Sequence, residues 1–343
     1  MSGPADRTPS LQDIADKLGV TKATVSMALR NHPRISLKTR EAVKQTAAEL
    51  GYRINPLVAA CMTQMRTRRE PGGETTLAFL HDHRQEDIVR GSLPASYAFR
   101  GAVERGQPLG YRVEPFAINS PGMTHRRLSD ILTHRGIRGV IVSLLQESKV
   151  VDLAWDHFAG VSIGYTLHPA VLDRICHDHF TACLSTLERL TRLGYGRIGL
   201  ALRGIDHRRS VHFWAAAYLS FFRENHKRPL PILIVEGEDR AALARWLREA
   251  RPDVVLSGNS FIPGWAREDQ LADAETDFVN LSWEPGHAEL AGVSHTFSEM
   301  GAGAVESVTA ALQLNQTGLP LKPKTTLIPG EWIDGPSLRH ACD

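Results

Sequence analysis

The residues of this chain that most readily suggest chemistry are two tripeptides, His81-Asp82-His83 and His177-Asp178-His179. In extended chain, residues two apart share a face, so each tripeptide sets two imidazoles side by side at a spacing that a metal ion uses. No nearby cluster supplies a third ligand, and no metal is expected. Gly301-Ala302-Gly303 lacks the preceding strand and the third glycine of a dinucleotide loop. A phosphate-loop lysine and a nucleophile-elbow serine are both missing. Cys61, Cys176, Cys183 and Cys342 stand apart, without the close pairs of a zinc or redox motif, and suit a reducing compartment. An enzyme is the main rival class, but it finds no constellation of groups here, and no cofactor is expected.

Binding a polyanion is better supported. Residues 1–70 hold 12 Lys+Arg against 6 Asp+Glu and the rest hold 28 against 32, so the formal net charge of +2 conceals a basic end and a mildly acidic body. In the basic end, Thr21 is placed to cap a helix whose first exposed positions are Lys22 and Ala23. The free N–H groups and positive dipole of a helix start favour phosphate, and side chains there reach base edges when the helix lies in a major groove.

Three short helices must position those residues. Ser10 caps the first, whose Leu11, Ile14, Ala15 and Leu18 form a one-sided apolar stripe ended by Gly19. The second carries Ala23, Val25, Ala28 and Leu29, and Asn31-His32-Pro33 ends it. Ser36 caps the third, with Val43, Ala47 and Leu50 inward and Gly51 as its stop. A fourth helical piece over 55–66 starts at Asn55-Pro56 and shows an apolar face of Leu57, Cys61 and Met65, flanked by Val58 and Met62. A helix of about 11 residues is marginal alone in water, so this one forms when packed on a second copy or on DNA; an extra interdomain core helix is the alternative. The stretch 66–73 is a charged, Pro/Gly-rich linker.

After Thr75 short β-rich runs alternate with helical stretches. The runs include Leu77-Ala78-Phe79-Leu80, Gly139-Val140-Ile141-Val142, Gly160-Val161-Ser162-Ile163, Arg197-Ile198-Gly199-Leu200, Ile232-Leu233-Ile234-Val235, Asp253-Val254-Val255-Leu256 and Phe278-Val279-Asn280-Leu281. Helical patterns over 180–193 and 240–250 imply βαβ units and a largely parallel sheet. So long a stretch exceeds what one sheet usually holds, which predicts two α/β lobes with a cleft between them. There is no internal repeat. Neither a signal peptide nor a run of about 18 apolar residues is present, so the chain reads as cytoplasmic, without a membrane partner.

Leu11, Asp13, Ala15, Gly19, Val20, Thr24, Val25, Ser26 and Leu29, with Ile14 and Thr21 as close substitutes, resemble the headpiece of the lactose repressor (LacI/GalR) family, and the likeness continues through Arg40, Glu49, Leu50, Gly51 and Tyr52. The resemblance implies a sequence-specific DNA-binding transcriptional regulator, expected to be a repressor. It places Lys22, Ala23 and Met27 at base-reading positions and Thr21, Thr24, Ser26 and Asn31 at backbone-contacting ones. Met27 stands where family members commonly carry arginine, which removes a bidentate contact to guanine. Residues 55–66 resemble the hinge helix that pairs across a dimer and wedges an apolar side chain into a minor-groove step. Counting from Tyr52, the wedge position is Cys61, with Leu57 and Met62 as substitutes, and Arg53 and Asn55 join the DNA-facing set.

The remainder resembles the family's periplasmic-binding-protein-like (type I) effector domain, with echoes at 173–178, 193–199 and 328–332. That implies a small effector, sugar-like, held by Arg209 in Arg209-Ser210-Val211-His212-Phe213, where His212 replaces a glycine, and by Glu284 in place of a frequent aspartate. Trp283 is the stacking candidate, and His81, Asp82 and Asn259 sit in loops at the C-terminal ends of strands, where such clefts open. The domains expected are a headpiece over 1–54, a hinge helix and linker over 55–74, and a two-lobed effector-binding and dimerisation domain over 75–343. The expected partner is a pseudo-palindromic DNA operator bound by a homodimer or a dimer of dimers. Two other readings remain. A free solute-binding protein of transport needs an export signal and leaves the helix-turn-helix without purpose. A regulator whose large domain only dimerises is separated from a true sensor by ligand-dependent change in DNA affinity.

Overall fold

The computed structural model describes residues 9–29, 35–52, 75–271 and 276–339. Contacts divide the chain into two compact units, 1–73 with 313–316 and 74–312 with 317–343.

The first unit contains α1 (Leu11–Leu18), α2 (Lys22–Leu29) and α3 (Leu37–Glu49). Each start is fixed by a hydroxyl. Ser10 and Asp13 form a reciprocal capping box, in which the Ser10 N–H donates to the Asp13 carboxylate at 2.7 Å and the Asp13 N–H to Ser10 Oγ at 3.4 Å. Thr21 Oγ1 accepts from the Thr24 N–H at 3.1 Å and Ser36 Oγ from the Thr39 N–H at 3.2 Å. Gly19 closes α1 at φ 65, in the left-handed region that glycine enters without strain. The three helices bury Ile14, Ala15, Val25, Ala28, Val43 and Ala47, with Leu11, Leu18, Leu29, Leu50 and Tyr52 around them. A Lys17–Glu49 ion pair of 2.9 Å links α1 to α3, but both side chains are half exposed and it adds little.

The second unit holds two six-stranded sheets. In chain order its elements are β1 (Thr75–His81), α4 (Gln85–Arg90), α5 (Pro94–Gly106), β2 (Tyr111–Ala117), α6 (His125–His134), β3 (Gly139–Val142), β4 (Ala159–Ile163), β5 (Asp173–His177), α7 (His179–Arg192), β6 (Ile198–Arg203), α8 (Gly204–Arg209), α9 (Phe213–Glu224), β7 (Leu233–Val235), α10 (Arg240–Ala250), β8 (Val254–Ser257), α11 (Phe261–Glu268), β9 (Asp277–Trp283), β10 (Ala291–Ser294), α12 (Phe297–Gln313), β11 (Thr325–Ile328) and β12 (Trp332–Ile333). The first sheet runs β11-β5-β4-β3-β1-β2 and is parallel throughout. The second runs β12-β10-β9-β8-β6-β7 and is parallel except for the antiparallel β10/β12 pair. Both sheets therefore share one strand order and differ in the direction of the last strand, a duplication of architecture that no sequence repeat announces. Buried strand residues such as Leu77, Phe79, Val140 and Ile141 read as continuous apolar runs because helices cover both faces.

The chain passes between lobes three times: from β5 into α7, from β10 into α12, and from β11 into β12. After the second passage α12 packs Phe297, Met300, Ala304, Val305 and Val308 into the first lobe's core. It does so at backbone contact with α5. A Cβ on Gly101 would lie 2.0 Å from the Ser298 carbonyl oxygen, and one on Gly301 1.9 Å from that of Ala98. Gly301-Ala302-Gly303 is thus the middle of a helix, and its first glycine serves packing.

Candidate functional site

In the first unit Thr21, Lys22 and Ala23 are exposed at the start of α2, while Thr24, Ser26 and Met27 are half-buried along it. Thr21 also shares a 2.9 Å hydroxyl contact with Thr24, so the cap residue is partly engaged by the helix it starts. With no acidic residue in α2, nothing there offsets the charge of Lys22. Asn31, Arg53, Asn55, Leu57, Cys61 and Met62 lie outside the described residues.

In the second unit a cavity of about 530 Å³ lies between the lobes, within the range of small-molecule sites. Leu144, Tyr165, His177, Phe297 and Met300 line it from the first lobe or its crossings, and Arg203, Asp206, Arg209, Trp214, Asn259, Phe261, Asn280, Glu284 and His287 from the second. Three of the six candidate effector residues are brought together there: Arg209, Asn259 and Glu284.

The other three take structural roles. Asp82 is fully buried and accepts from the Gln146 N–H at 3.0 Å and from Lys149 Nζ at 2.6 Å, so its charge ties β1 to the segment after β3. His81 is buried against Gln85, 3.1 Å from Nε2. The Trp283 indole N–H donates to the carbonyls of His287 and Leu290 at 3.1 and 3.0 Å, so it closes its own loop and does not line the cavity. A half-buried indole finds a carbonyl partner wherever its loop offers one, and strand-end position alone does not reveal this.

Arg209 ends α8, and a turn through Val211 (φ 50) and His212 (φ 65) leads into α9 and Trp214. Two successive non-glycine residues in the left-handed region are costly and hold Arg209 and Trp214 on one wall. Asp206 is taken by Arg203 at 2.7 Å and by the Asn259 amide, while Arg203 lies 4.2 Å over the Phe261 ring. Burial pushes the Glu284 carboxyl up to about 7. The native protein then holds more protons at Glu284 than the unfolded chain between pH about 4.5 and 7, so its stabilising contribution is complete below that window and is lost as pH rises through 7. Glu284→Gln is expected to flatten the decline in Tm of the larger unit from pH 5 to 8, followed by circular dichroism melts; an unchanged slope removes Glu284 as its cause.

Sequence reasoning missed the cavity's densest feature. His177 and His179, singled out as a metal-like pair, meet His295 at the lobe crossings. His177 and His295 stack at 4.4 Å between centroids, His295 stacks on Phe297 at 4.0 Å, and His179 meets Trp214 edge-on at 4.9 Å. All three imidazoles are buried, and burial lowers their pKa values, that of His177 to about 4, so they are neutral. Among the described residues no group of three or more His, Cys, Asp or Glu is placed to hold a metal ion. A lone His295, far along the chain from His177, carried no local signal.

A three-helix headpiece with a capped helix-turn-helix, together with a periplasmic-binding-protein-like α/β body with a cavity between its lobes, defines the class of protein. Residues 10–55 match the family model described as bacterial regulatory proteins, lacI family. The curated relative reg1 of Streptomyces lividans, an HTH-type transcriptional regulator, is 29% identical over 203 residues, 57% of this chain and 54% of that one. The chain thus spans about half the length of the curated relatives it matches. A solved structure of a transcriptional regulator CelR–cellobiose complex superposes with TM-score 0.60 at 19% identity, covering 96% of this chain and 99% of that one. The lac repressor dimer bound to operator and an anti-inducer gives 0.58 at 17%, covering 96% and 99%. Residues 10–55 thus match the lacI-family model, and the larger unit has the fold of these solved regulators.

Proposed function

We propose that this protein is a sequence-specific DNA-binding transcriptional repressor whose operator affinity is set by a small, sugar-like molecule in the interlobe cavity. The observation that carries the reading is the exposed start of α2, with Lys22 and Ala23 presented beside a threonine cap on a compact three-helix core. In this reading Lys22, Ala23 and Met27 face base edges and Thr21, Thr24, Ser26 and Asn31 the backbone, with Arg53, Asn55, Leu57, Cys61 and Met62 on the minor-groove side. A homodimer or a dimer of dimers places two copies of α2 in successive major grooves. Arg209, Asn259 and Glu284 serve the effector, and the cellobiose of the CelR complex supports a carbohydrate. No helix among the described residues is long and apolar enough to cross a membrane, which is compatible with a chromosomal partner.

The test is selection of bound duplexes from a random library by the full chain at two salt concentrations. The expected outcome is a two-fold-symmetric site with affinity falling steeply as salt rises. Sequence-blind binding removes the specific-regulator reading. Lys22→Ala is expected to relax preference at one half-site position, whereas uniform weakening on all sequences takes Lys22 away from base edges.

A further inference from the structure

Buried polar atoms without partners are rare in native proteins, and each asks for an explanation. In this chain five of them sit on residues that line one cavity: His177 Nε2, His179 Nδ1, Trp214 Nε1, Asn280 Nδ2 and His295 Nδ1. All five side chains are more than nine-tenths buried. Trp214 Nε1 and Asn280 Nδ2 can only donate, and each neutral imidazole offers one N–H.

A cation completes the set. Among the described residues Arg209 forms no hydrogen bond or ion pair. The nearest carboxylates are already engaged, Asp206 by Arg203 and Asn259, and Asp82 by Lys149 and the Gln146 N–H. The Arg209 charge is felt at His295 and His83. A partly buried guanidinium at the cavity wall, without a protein partner, favours an anion. The unpaired guanidinium and the donor-only N–H groups of Trp214 and Asn280 favour a ligand group that only accepts, while Glu284 and the acceptor nitrogens of the imidazoles on the same wall suit the hydroxyls of the rest of the ligand.

We propose that the ligand of this cavity is a hydroxylated monocarboxylate of sugar size, an aldonate or uronate, whose carboxylate lies between the Arg209 guanidinium and the donors of Trp214, Asn280 and the hinge imidazoles. This rests on reading the cavity as the effector site. One unpaired guanidinium matches one negative charge, and its planar fork accepts a carboxylate through two parallel hydrogen bonds. A phosphate brings nearly two charges, for which the wall holds no second free cation among the described residues. Because His177, His179 and His295 stand at the crossings between lobes, the same anion would bridge the second lobe to the hinge, which couples its binding to the angle between lobes.

The test is thermal melting and calorimetric titration of the full chain with gluconate, glucuronate and galacturonate, against sorbitol, glucose and galactose as neutral counterparts. At least one acid is expected to raise Tm by several degrees at millimolar concentration while its neutral counterpart leaves it in place. Arg209→Gln is expected to weaken that acid at least tenfold. Trp214→Phe, which removes one N–H and little volume, is expected to weaken it severalfold, so the assignment survives a folding failure of either variant. Stabilisation by the neutral sugars, equally or alone, overturns the carboxylate and leaves the effector-site reading in place. No stabilisation by any of the six overturns it as well, and so does full affinity in Arg209→Gln. The DNA-library selection uses no ligand, so failure of the regulator reading shows there and not here.

Discussion

Ile14→Ala is expected to abolish specific DNA binding by unfolding the headpiece while the larger unit keeps its own thermal transition. Ile14 is fully buried, one of six buried apolar side chains among the described residues that hold α1, α2 and α3 together. Truncating a buried isoleucine to alanine costs about 2–5 kcal/mol. A core this small rarely supplies more than about 3–5 kcal/mol in total, so a loss at the upper end of that range exceeds the margin and leaves the headpiece mainly unfolded. Affinity for the selected operator, followed by fluorescence anisotropy, is expected to fall by at least about a hundredfold. Leu37→Ala is the control, since Leu37 is 71% exposed on α3 and truncating it removes little packing. Retention of tight binding by the Ile14 variant shows that the headpiece draws its stability from elsewhere than this core.

Gly301→Ala is expected to be the most damaging single-methyl change in the larger unit. The added carbon meets the Ala98 carbonyl oxygen at 1.9 Å, and a backbone atom cannot turn aside as a flexible side chain can. Helices α5 and α12 must separate, which loosens Phe297, Met300 and Val305 from Phe99 and Ala102. The expected loss is roughly 3 kcal/mol or more, at the upper end of overpacking, and corresponds to a fall in Tm of roughly 6–12 °C. Two residues along the same helix, Gly303→Ala meets nothing closer than Ile175 Cγ2 at 3.5 Å, ordinary contact distance. There the helix gains by up to about 1 kcal/mol from the better propensity of alanine. Calorimetry on both variants checks the contrast, and equal effects on Tm remove the close approach of α5 and α12 as the cause.

How much of this was legible from the residues depends on how local the signal is. Ser10, Thr21 and Ser36 announce their helices because a cap acts over three or four residues, and the apolar stripe of α1 is readable within two turns. The β-rich runs placed seven of the twelve strands described for the same reason, β2, β5, β10, β11 and β12 going unmarked, and the length of that stretch implied two lobes. What could not be read is whatever depends on chain passing from one lobe to the other. The common strand order of the two sheets is a property of pairing, not of sequence likeness. The partners of Asp82 and Trp283 depend on loops that bring Lys149 and Leu290 near. The stacking of His177 on His295 joins residues that have only the fold in common.

The threefold passage between lobes also bears on the order in which the chain is made. The second lobe takes nearly all its strands from one unbroken stretch, β6 to β10, whereas the first lobe begins at β1 yet waits for α12 and β11. Until those late residues leave the ribosome, Phe79, Phe99 and Val161 face no α12, and a broad apolar surface stays open. The first lobe to start therefore waits almost to the end of synthesis, and a nascent chain exposed only as far as residue 295 presents its helper proteins with a second lobe short only of β12 and the segment around Leu338, beside a first lobe that lacks its lid.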